Sequence, residues 1–100
     1  MPKTTAQPRT EDILEQARID LGVVETFREN ERYASRPGDP ERQARIDAML
    51  VRMLGFMTPL RSLISRSLWS DDVLTPQQRD EVDQISHRMK LARKQLKKMY

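Results

Sequence analysis

Between Ile46 and Leu68 the chain carries an apolar pattern that leaves little freedom in how it folds. With Ile46 at heptad position a, that position holds Ile46, Met53 and Leu60, position d holds Met49, Phe56 and Leu63, and position e holds Leu50, Met57 and Ile64. All nine seam positions over three heptads are apolar. Such an e-a-d arc is wider than the two-position seam of a simple coiled coil. A helix with so broad an apolar face must touch at least two neighbours, so the rest of the chain is expected to supply them.

The second helix is expected from about Pro40 to Trp69. Its start is marked by Arg36-Pro37-Gly38-Asp39-Pro40, where Asp39 caps, Pro40 takes the first helical position and Glu41 follows. Pro59 falls in its middle. Proline has no N–H for the carbonyl of Gly55 and its ring crowds that turn, so a kink is expected. The row Leu50, Met53, Met57, Leu60, Ile64 keeps its phase across the proline, which argues against a full break.

The first helix is expected from a Thr10 cap to about Tyr33, with Glu11 and Asp12 in the first turn, where the helix dipole favours negative charge. Its apolar residues, Ile13, Leu14, Ala17, Leu21, Val24 and Phe27, have helical spacing, interrupted by Asp20. This less regular seam reads as the edge of a bundle. The third helix opens with Thr75-Pro76-Gln77-Gln78, a capping-box signature with proline at the first helical position, and is expected to run to the C-terminus. Its seam is Val82, Ile85, Met89, Ala92, Leu96 and Met99 at strict a/d spacing, a narrow stripe that asks for one partner groove.

Short links between long helices make sequential neighbours antiparallel. The expected fold is therefore all-α: an antiparallel three-helix bundle with a long central helix kinked at Pro59. Residues 1–9 read as a flexible N-terminal arm and residues 10–100 as a single helical domain. The match of Gln16-Ala17-Arg18-Ile19-Asp20 to Gln43-Ala44-Arg45-Ile46-Asp47 is read as coincidence, because Ile19 and Ile46 differ in seam phase and the following residues hardly agree.

Charge is distributed unevenly. Residues 1–40 carry six basic and eight acidic side chains, residues 41–70 five and two, residues 71–86 one and five, and residues 87–100 six and none. This alternation bears on partner choice more than the net charge of +3 does. There are no cysteines, which excludes disulfides, thiolate zinc sites and cysteine nucleophiles. The single histidine, His87, falls on the water-facing side of the third helix. The carboxylates Asp71 and Asp72 sit in a link, where turn formation accounts for them. No glycine-rich phosphate loop or nucleophile elbow is present. The expectation is no catalytic residue, no metal and no cofactor.

Two groups of residues remain as candidate contact sites. Ile19, Val23, Leu54, Trp69 and Leu91 are apolar but lie off the seams, where a second protein or a second copy would dock. Arg45, Arg52 and Arg66 form a rail beside the second helix's seam, with Arg42 and Arg61 nearby, and Arg88, Lys90, Arg93, Lys94, Lys97 and Lys98 crowd the third helix. These cations suit phosphate or an acidic partner. The rail also suits ion pairing with the acidic first helix, and the C-terminal cations suit the helix dipole. In a parallel homodimer through the third helix, Arg88 would meet Arg93 of the other copy, which is repulsive. A partner of opposite charge such as the first helix fits better.

The expected function is a non-catalytic helical protein–protein interaction module: a small regulator, an assembly factor or a structural subunit of a larger complex. The size and charge also fit a phage-encoded protein. The alternative is a nucleic-acid-associated protein that binds the phosphate backbone through its basic C-terminal helix. Neither a membrane partner nor a small-molecule substrate is expected. The N-terminus lacks the apolar core of a signal peptide, so the expected location is the cytoplasm, or a host cytoplasm or virion for a phage protein.

Overall fold

A computed structural model describes residues 9–34, 36, 38–70 and 73–99. It forms three helices, α1 (Thr10–Ala34), α2 (Pro40–Ser67) and α3 (Pro76–Lys97), and each packs against the other two. Sequential helices run antiparallel, so α1 and α3 run parallel. Apart from Arg9, the expected N-terminal arm lies outside the described residues, as do Asp71 and Asp72.

The local signals act as their chemistry requires, with one exception. Gly38 turns the chain at a φ of 85°, in the left-handed region that glycine tolerates. Asp39 then accepts from the Glu41 N–H at 3.0 Å. At α3 the capping box is complete: Gln78 N–H donates to Thr75 Oγ1 at 3.1 Å, and Thr75 N–H donates to Gln78 Oε1 at 2.9 Å. Thr10 is the exception. The carbonyl of Arg9 accepts the first helical bond, from Ile13 at 3.1 Å, so Arg9 holds the capping place. The Thr10 hydroxyl instead donates across the bundle to the carbonyl of Val73 at 3.3 Å, tying the start of α1 to the α2–α3 link.

α2 runs through Pro59 as one helix. Both Pro59 and Gly55 are exposed, so water can serve the carbonyl that the proline leaves unbonded. The helix ends at Ser67, two residues short of expectation, with Leu68 and Trp69 in a turn. α3 likewise ends at Lys97, with Lys98 and Met99 in a turn.

The broad arc of α2 divides by depth. Ile46, Met53, Leu60, Met49, Leu63 and Met57 are buried, while Phe56, Leu50 and Ile64 are half-buried against the core edge. α1 contributes Ile13, Leu14, Ala17, Leu21 and Val24, with Phe27 partly covered. α3 contributes Val82, Ile85, Met89, Ala92 and Leu96, with Met99 partly covered. α1 is not an edge helix and α3 does not occupy a single groove. In a triangle of three helices each seam meets both others, and the extra contact falls on the flanking positions, such as buried Ser86 of α3. No helix among the described residues is long and apolar enough to cross a membrane.

Candidate functional site

The cations singled out in the sequence separate into those that hold the bundle together and those that do not. Arg88 belongs to the first group. Its guanidinium donates to both carboxylate oxygens of Glu25, at 2.5 and 3.1 Å. One heptad earlier the charges swap, and Arg18 of α1 donates to both oxygens of Glu81 of α3, at 2.6 Å each. Arg28 adds a bond to Gln95 at 2.6 Å. These are the flanking-position pairs of two parallel helices.

Arg45 is also consumed internally. It makes two parallel hydrogen bonds to Glu31, a carboxylate only 6% exposed. Its pKa is raised by the Glu31 bond first of all, against the opposing effect of desolvation. Arg52 lies over the Phe56 ring at 5.4 Å, one turn along the same helix. Arg66 is half-buried in the α1–α2 groove. The rail of α2 therefore serves packing and pairing more than an open surface. Arg42, at the start of α2, is buried, which its position in the sequence did not reveal.

The remaining cations gather on one side. Lys90, Arg93, Lys94 and Lys97 line one face of α3 together with His87 and Leu91. They are exposed and make no ion pair among the described residues. Lys98 is exposed just beyond them. Arg61 of α2 joins this side across a groove of about 150 Å³ that also holds Leu50, Leu54 and Met57.

All five apolar candidates are exposed: Ile19 by 55%, Val23 by 39%, Leu54 by 52%, Trp69 by 88% and Leu91 by 44%. They do not form one patch. Ile19 and Val23, one turn apart, wall an α1–α2 groove with Phe27 and Met49. Further along the same two helices a second hollow of about 380 Å³ is lined by Ile13, Ala17, Phe56, Pro59 and Leu60. Leu54 faces the α2–α3 groove, Leu91 the outer side of α3, and Trp69 the tip beyond α2. Tyr33, Val51 and Leu68 are equally exposed and were not singled out. Val51 falls at the outermost heptad position of α2, which could have flagged it.

Among the described residues, no three or more acidic or histidine side chains are grouped to hold a metal ion. No family model, no curated protein and no solved structure matches this chain.

Proposed function

We propose that this chain is a non-catalytic helical interaction module that presents its apolar inter-helix grooves to another protein, as a regulator, assembly factor or subunit of a larger complex. The observation that carries this reading is the α1–α2 groove, where Ile19 and Val23 stand exposed beside Phe27 and Met49. Single exposed apolar residues are ordinary on any protein surface. A run of them along an open helix–helix seam is the form that docking sites take. A core already closed by α1, α2 and α3 gives Ile19 and Val23 no internal task.

The alternative, a phosphate-backbone binder, rests on the exposed cations of α3. It is weakened by the loss of Arg45 and Arg88 to internal carboxylates.

Light scattering coupled to size exclusion, with the 260/280 nm absorbance ratio recorded, separates the two. The expected result is a protein spectrum at a mass above the 11.8 kDa of one chain, through self-association or a stoichiometric second protein. It should persist in high salt and fall to the monomer in Ile19→Glu/Val23→Glu. A bare monomer at every salt concentration overturns the reading. So does a nucleic-acid-rich peak that high salt strips back to protein, because phosphate contacts weaken steeply with salt.

A further inference from the structure

We infer that the α2–α3 groove receives an acidic amphipathic helix from a different protein. The inference rests on the reading of the chain as an interaction module and names the partner for one of its faces. The groove has an apolar wall, Leu50, Leu54 and Met57, at helical spacing along α2. Cations stand on both of its sides, Arg61 on α2 and Lys90 and Arg93 on α3. None of the three has a carboxylate partner among the described residues, whereas Arg18, Arg45 and Arg88 all have one. Charge on α3 is thus sorted by face: the side toward α1 is neutralised and the side toward α2 is left open.

An apolar floor between two cationic rims is complementary to a helix with an apolar stripe flanked by carboxylates on both sides. The wall from Leu50 to Arg61 rises about 16 Å, which matches an occupant of about three turns. The flexible methionine side chain of Met57 adapts readily to such a stripe. Other occupants fit less well. A phosphate backbone would satisfy the rims but lay charge over Leu50 and Leu54, and α3 has no Phe, Tyr or Trp on which bases could stack. A second copy docked by a two-fold axis would set Arg61, Lys90 and Arg93 against themselves.

The test uses the full chain and a fluorescent synthetic peptide of about 15 residues, enough for three turns with short ends. It carries leucines at i, i+4 and i+7 and glutamates flanking them. The controls are an isomer of the same composition with its leucines scattered, and a labelled single-stranded DNA of similar length. Anisotropy titration is expected to show the amphipathic peptide binding at least about tenfold tighter than the scattered isomer, a gap of about 1.4 kcal/mol. Leu54→Glu should weaken it about tenfold or more. Lys90→Glu/Arg93→Glu should abolish it and accept a peptide with lysines in place of the glutamates. All three substituted side chains are exposed, so unchanged helicity and melting should accompany the loss. The inference is overturned if the amphipathic peptide does not bind. It is equally overturned if the isomer or the DNA binds as tightly and Leu54→Glu changes nothing, which would identify a general polyanion patch. Failure here with a salt-resistant assembly that depends on Ile19 and Val23 removes this partner alone, whereas failure here together with a bare monomer removes both this partner and the interaction reading.

Discussion

Arg18 of α1 and Glu81 of α3 face each other through two parallel hydrogen bonds of 2.6 Å, and seven residues further along both helices Glu25 and Arg88 repeat the pair with the charges exchanged. The exchange makes the pairs sensitive to register. A slide of one heptad would bring Arg18 against Arg88 or Glu25 against Glu81. The apolar seams alone would tolerate such a slide better, since one a/d layer resembles the next. The pairs therefore favour one alignment of the two parallel helices more than they add bulk stability.

That role is testable by a double-mutant cycle at Arg88 and Glu25. Arg88→Glu should lower the melting temperature by setting two carboxylates together, and adding Glu25→Arg should recover most of the loss. With Arg88 largely exposed and Glu25 partly so, the coupling should be no more than about 1 kcal/mol and shrink with salt. A cycle with no coupling would leave the alignment to the apolar seams.

The Arg18–Glu81 pair also gives stability a pH dependence. The Arg18 hydrogen bond holds the Glu81 carboxyl below its ordinary value of 4.5. A carboxyl depressed in the folded state adds stability that is fully present above its unfolded value and is lost as pH falls through the folded one. Thermal melts should therefore lose stability as the pH drops through and below that ordinary value. Glu81→Gln should be less stable at neutral pH and show a shallower acid decline. Parallel declines in the two proteins would assign the acid sensitivity elsewhere.

Much of this arrangement was legible beforehand. The wide seam of α2, the stripe of α3 and the Pro40 and Thr75-Pro76 restarts follow from spacing and capping chemistry, which act within a turn or two. The acidic first helix as partner for the cations was legible from charge alone. What spacing could not supply was which cation meets which carboxylate. Arg88 and Arg93 are equivalent on a heptad wheel except for side, and the side is set by which neighbour α3 turns toward each helix. Thr10 failed as a cap because the capping place falls one residue earlier, at Arg9, which leaves the Thr10 hydroxyl to donate to the carbonyl of Val73, more than sixty residues away. The burial of Glu31 and Arg42 was hidden because charged residues are seldom covered without a partner.

Glu31 makes Arg45 more important than its own partial exposure suggests. Removing the guanidinium by Arg45→Met takes from a buried carboxylate its two-pronged donor, and weakening the pairing of a buried charge costs more than the same loss at the surface. The melting temperature of Arg45→Met should fall clearly below wild type. Arg61→Met, which breaks no ion pair among the described residues, should stay within about 0.5 kcal/mol. Equal melting of the two variants would show that Glu31 needs no help from Arg45.

Ser86 offers the opposite sign. It is buried on α3 and its hydroxyl has no hydrogen-bond partner among the described residues. Ser86→Ala removes an unsatisfied polar atom and substitutes the best helix former, so stability should rise by about 1 kcal/mol. Denaturant unfolding with an unchanged m-value would confirm a native-state gain, whereas a loss of stability would reveal a partner such as a buried water.

Gly22 and Gly55 separate stability from docking. Both lie inside helices, and a β-carbon added at either meets no atom of the described residues within 4 Å apart from its chain neighbours and its own helix backbone. Alanine at each should stabilise the fold by about 0.5–1 kcal/mol by restricting the unfolded chain. Only Gly22 borders the α1–α2 groove beside Ile19 and Val23, so Gly22→Ala places a methyl group at its mouth. Both variants should melt higher than wild type, and only Gly22→Ala should shift the assembly measured by light scattering. A Gly22→Ala protein that assembles like Gly55→Ala would mean that the groove takes its partner without close approach to the α1 backbone.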